Sequence, residues 1–174
     1  MKKMMTTIAM LGMLLPGMAQ EVKTTFQTSS AWKPTIDVRS DAVMVYGTGS
    51  SPQISFQERV DSWRKQGYTT HFMTGIAWGG YSNYFTGKWD GKQHMDEGQK
   101  DMKGDTILHN PGTPYIVPTL NYLKYFKETQ IKEVIDAGIS EIFLEEPEFW
   151  ANAGYSESFK REWRHIIEVI TRSI

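Results

Sequence analysis

The chain contains no cysteine among its 174 residues, so no disulfide framework can brace it and stability must come from a packed core. Basic residues are not in excess either. Lys and Arg number 19 against 20 Asp and Glu, a formal net charge of −1. A nucleic-acid partner requires surplus cations to neutralise phosphates, and that class is set aside. Several short signatures are also missing. The Gly47-Thr48-Gly49 stretch lacks both the Lys-Ser/Thr ending of a phosphate loop and the G-x-G-x-x-G spacing. No G-x-S-x-G nucleophile elbow occurs. His71, Asp90, His94, Asp96, Glu97 and His109 match no metal-ligand spacing, so neither a metal nor a cofactor is expected.

Aromatic residues are plentiful, at 13% of the chain with six Trp, which suits a ligand surface as well as a core. The first residues read as an export signal. Lys2 and Lys3 precede an apolar stretch from Met4 to Leu15, Pro16-Gly17 breaks it, and Gly17-Met18-Ala19 supplies small residues for cleavage after Ala19. The apolar run is shorter than the roughly 20 residues that span a bilayer, so no membrane association is expected after cleavage. Residues 1–19 are therefore assigned to a signal peptide. The mature protein is placed in the periplasm or outside a bacterial cell.

Residues 20–41 read as an extended lead-in, and 42–174 as a single α/β unit. Ala42–Tyr46 is a short apolar strand. Phe56, Val60 and Trp63 then recur at helical spacing, with Ser55 and Glu58 forming a capping box and Gly67 closing the helix. Further strands are predicted at Tyr68–Ile76, Tyr115–Thr119 and Ile139–Glu145, and helices at Asn121–Ala137 and Ser156–Arg172. Alternation of this kind indicates a parallel sheet wrapped by helices, and the uniformly apolar strands suggest that both sheet faces are covered. The segment Trp78–Pro114 is too long for a plain connection. Four βα units make about half of a (β/α)8 barrel, so the expected architecture is the front half of a TIM barrel in a truncated chain.

In parallel α/β folds ligands gather at the carboxyl ends of strands, and two stretches crowd polar and aromatic residues there. Trp78, Tyr81, Tyr84, Phe85 and Trp89 alternate with short polar residues, as a platform for sugar rings would. Asp90, His71 and Trp150 complete the candidate substrate-binding set. A structural alternative is that these rings pin down a long loop. The second stretch is Ile142-Phe143-Leu144-Glu145-Glu146-Pro147-Glu148-Phe149-Trp150. It drives three acids against the end of a buried strand. Crowded carboxylates beside aromatic rings are the pattern from which general acids are made, because like charges and desolvation both favour the protonated form.

Glu145-Glu146-Pro147 resembles the strand-four Asn-Glu-Pro motif of the (β/α)8 retaining glycoside hydrolases. The resemblance implies that Glu146 is the acid/base, with Glu148 and Glu145 as neighbouring catalytic candidates, acting on an oligo- or polysaccharide. Glu145 stands where that superfamily has an Asn that contacts the sugar 2-hydroxyl. The superfamily's nucleophile lies on a seventh strand, which this sequence does not contain, and little hydrolysis is expected of the chain alone. The alternative function is a non-catalytic carbohydrate-binding protein of the cell envelope that uses the aromatic loop. A third is a small open α/β protein whose glutamates form a solvated turn.

Overall fold

A computed structural model describes residues 21–49, 53–78, 81–146 and 152–172. The predicted signal segment, Glu148 and Trp150 lie outside the described residues. Four strands form one parallel sheet: β1 (Thr25–Thr28), β2 (Ala42–Tyr46), β3 (Thr69–Gly75) and β6 (Ile142–Glu145), hydrogen-bonded in that order. Between β3 and β6 lie a short helix α2 (Ser82–Phe85), a two-stranded antiparallel ribbon β4 (Leu108–Asn110) and β5 (Thr113–Pro114), and one long helical run. That run begins as α3 (Leu120–Phe126), widens to a π-turn over Lys127–Ile131 and resumes as α4 (Lys132–Asp136). Helix α1 (Phe56–Arg64) links β2 to β3, and α5 (Glu157–Arg172) follows β6. No helix among the described residues is long and apolar enough to cross a membrane.

The fold is mixed α/β with a four-stranded parallel sheet, as the alternation of elements implies. Three details of the sequence reading are corrected. First, the sheet begins inside the presumed lead-in, where Phe26 lies beside Val43 in the register. Second, Tyr115–Thr119 is not a strand of the sheet. The position beside β3 is taken by β6, and Ile116 instead makes an isolated bridge to Gly98 and donates to the Ala77 carbonyl at 2.8 Å. The backbone of this segment is committed to the long connection, with Tyr115 donating to Ile107 at 3.0 Å and Val117 to Glu97 at 2.8 Å.

Third, among the described residues the helices that pack on the sheet lie against one of its faces, although His71 on the other is buried. On the helix-packed face Val43, Val45 and Phe72 pack with Phe56, Val60 and Trp63 of α1 and with Val134 of α4, and Phe26 and Ile142 join from the edge strands. Alternation sends the intervening residues to the other side. There Met44, Tyr46 and Met73 are only half-buried and Phe143 is 41% exposed. Trp163, Ile166, Ile167 and Ile170 on α5 are likewise exposed, although their spacing is that of a buried helix face.

Helix α1 is well determined locally. The Ser55 hydroxyl accepts from the Glu58 amide while the Glu58 carboxylate accepts from the Ser55 amide, and Gly67 takes the left-handed turn (φ 88°) that ends the segment. The helix also carries Arg59, which is fully buried. Its guanidinium donates to four backbone carbonyls, those of Ser29 (3.0 Å), Tyr46 (3.0 Å), Gly47 (2.6 Å) and Thr48 (2.9 Å). It thereby ties the end of β1 to the end of β2 and to the loop beyond. Arg59→Met would leave those carbonyls without their donors. We expect it to lose at least about 3 kcal/mol of stability in urea unfolding, with Arg59→Lys intermediate.

Candidate functional site

The carboxyl ends of β2, β3 and β6 meet at one point. Glu145 is in register with Gly75, and Tyr46 with Met73. Alternation therefore places Tyr46, Gly75 and Glu145 on the face opposite α1 and α4. There the Tyr46 hydroxyl donates to Glu145 Oε2 at 2.9 Å across 99 residues of sequence. Burial, then the hydrogen bond and charge of Glu145, hold the Tyr46 phenol well above its ordinary range, so it remains a donor at any physiological pH.

Glu146 follows in a different conformation. It is exposed, with φ 47°, one of two non-glycine residues with positive φ among the described residues. A side chain there costs about 1–2 kcal/mol relative to the ordinary helical region, and such positions gather at functional sites. The two adjacent acids are thus unlike: Glu145 is half-buried and anchored, whereas Glu146 is solvent-facing on a strained backbone.

Tyr46 also lines a cavity of about 430 Å³ at the strand ends. Gly47, Thr48 and Gly49 supply one wall, Trp78 and Tyr81 another, and the π-turn presents Thr129 and Gln130. π-Turns inside helices are frequent at functional sites because the widened turn re-aims side chains. Gly75 is needed for close approach: a Cβ there would lie 3.0 Å from the Trp78 ring. The other partner of Trp78 is His109, stacked at 4.6 Å.

The remaining residues singled out from the sequence go elsewhere. Tyr84 is fully buried, and Trp89 packs against the core formed by Ile76, Tyr81, Tyr84, Ile116, Tyr122 and Tyr125. Most of the aromatic loop is thus core, and only Trp78 and Tyr81 of its rings reach the cavity. Asp90 binds His94 Nε2 at 3.1 Å. His71, on the face opposite α1 and α4, pairs with Glu141 at 3.3 Å and meets Phe143 edge-on.

A larger cavity of about 490 Å³ lies away from the strand ends, bordered by His94, Glu97, Asn121, Arg161 and His165. Its floor is the buried Glu97, whose oxygens accept from Tyr84, Thr119 and Asn121. That carboxylate is occupied as a clasp between the aromatic loop and the start of α3, which favours the strand-end cavity as the functional one. Among the described residues no group of three or more His, Cys, Asp or Glu is placed to hold a metal ion.

Sequence reasoning put Tyr46 at a strand end without giving it a role, and it did not find Asn83, Thr129 or Gln130. The one legible signal of Tyr46 was that place at the end of an apolar strand. Comparison with protein families, with characterised proteins and with solved structures found no match.

Two measurements probe this arrangement. In Glu145→Gln the Tyr46 phenol should ionise at lower pH than in the wild type yet still above about 10, since burial persists when the carboxylate charge is gone. Ultraviolet titration of tyrosinate, with Tyr46→Phe to assign the signal, would read it. Glu146→Gly should leave the urea midpoint unchanged or raise stability by up to about 1 kcal/mol, because glycine removes the left-handed strain.

Proposed function

We propose that the chain carries a carbohydrate-active site of the glycoside hydrolase type at the carboxyl ends of a sheet that forms the front part of a (β/α)8 barrel. The observation that carries this reading is the Tyr46–Glu145 hydrogen bond beside a cavity lined by aromatic and neutral polar groups. The barrel element rests on the sequential parallel order of the four strands and, among the described residues, on helices packed against one face and an edge of β6 that no strand pairs. In a closed barrel the face opposite the helices would become the interior, and the exposed Phe143 would be enclosed by further strands.

In this reading Glu146 is the proton donor to the leaving glycosidic oxygen. Glu145, fixed by Tyr46, is the anion that sets the local field. Glu148 remains a candidate outside the described residues. Trp78 and Tyr81 form the apolar wall against which a sugar ring rests. Retaining hydrolysis needs a second carboxyl about 5 Å from the first, across the bond to be cleaved. Glu145 and Glu146 leave the same strand end, so they do not make such a pair. A non-catalytic carbohydrate-binding protein is the second reading, favoured by the absence of any carboxylate from the lining of the cavity among the described residues.

Isothermal titration against a panel of oligosaccharides, paired with an assay for released reducing ends, separates the possibilities. Binding weakened at least about tenfold by Tyr46→Phe supports the site. Release abolished by Glu146→Gln supports the hydrolase, and binding without release supports the second reading. A chain that neither binds nor cleaves any glycan in the panel would sink both.

A further inference from the structure

We infer that the strand-end cavity selects uncharged sugars and rejects acidic ones such as uronates. This deepens the carbohydrate reading above and rests on it. The cavity is lined by hydroxyls, carboxamides, backbone and aromatic rings: among the described residues its lining contains no Asp, Glu, Lys, Arg or His. Asn83, Thr48 and Gln130 offer donors and acceptors matched to neutral hydroxyl groups.

The cation behind the wall keeps its charge but presents no terminal N–H to the cavity. Arg59 lies behind the Tyr46–Thr48 wall, is fully buried, and turns its terminal nitrogens to four carbonyls. Glu145 shares a hydrogen bond with Tyr46, a residue of the cavity wall, and has no cation within ion-pair distance among the described residues. A sugar carboxylate entering the cavity would leave water and find no cationic side chain on the described lining to pair with, while Glu145 stands one hydrogen bond behind that lining at Tyr46. Desolvation and like-charge repulsion therefore act together against it.

The test compares matched tetrasaccharides by isothermal titration at low salt: β-1,4-mannotetraose against its mannuronate counterpart, and α-1,4-galactotetraose against tetragalacturonate. The neutral member of at least one pair should bind at least about tenfold more tightly, and the gap should narrow as salt screens the repulsion. Glu145→Gln should shrink the ratio, and Gln130→Lys should shift it toward the acidic member by placing a cation in the cavity. Acidic members that bind as tightly as neutral ones would overturn this inference while leaving the carbohydrate site standing. Failure of all four sugars, together with a silent wider panel, would instead remove the site itself. A neutral preference that neither variant alters would overturn its electrostatic origin.

Discussion

The buried guanidinium of Arg59 is the constraint on which the geometry of the strand ends depends. A cation removed from water must be given another shell of oxygens, and here four backbone carbonyls provide it at 2.6–3.0 Å. Those carbonyls belong to the exits of two neighbouring strands, so one side chain fixes where both chains leave the sheet. The planar fork of arginine can address them together, whereas the point charge of lysine cannot. With its carbonyl held from behind, Tyr46 is positioned to reach forward to Glu145 on a strand two places away in the sheet.

A second structural layer sits above the first. The core between sheet and helices is mainly aliphatic with a few rings, built on Val43, Val45, Phe72, Val60 and Trp63. Beyond the strand ends a tyrosine-rich core replaces it, with Tyr81, Tyr84, Tyr122 and Tyr125 packed together. Tyrosines suit that place because each ring buries area while its hydroxyl can satisfy a polar group. Tyr81 donates to the Gly75 carbonyl at the end of β3, and Tyr84 donates to the buried Glu97. The aromatic loop is thereby bolted to the sheet on one side and to α3 on the other. This gives the cavity rigid walls in a segment with little regular secondary structure.

Elements that announce themselves by local pattern were legible in the sequence. The apolar run at Ala42–Tyr46, the capping box at Ser55 and the helical spacing of Phe56, Val60 and Trp63 all appear where the pattern places them. The long helix after Thr119 was also legible, but its π-turn was not, since a one-residue widening leaves no clear mark in apolar spacing. Strand β1 was hidden because Thr25-Phe26-Gln27-Thr28 is an edge strand with one apolar residue, and pairing rather than composition makes it a strand. The aromatic loop shows the opposite failure: its rings were visible, but sequence cannot say whether a ring faces a ligand or a core. Contacts between distant segments, Tyr46 with Glu145 above all, have no sequence signature.

The two glutamates at the end of β6 show why the pleat matters more than the motif. In the sequence, Glu145 and Glu146 are adjacent acids before a proline, set apart by strand alternation and by the resemblance. In the sheet, alternation gives Glu145 to the same face as Tyr46, which supplies a donor from β2, two strands away. Continuing the pleat would turn Glu146 to the side of Leu144 and Thr74 instead. Its left-handed backbone departs from that path, and its side chain is exposed. The left-handed turn at Glu146 therefore sets the direction of the second acid relative to the first, and any chemistry that uses both depends on that one turn of the chain.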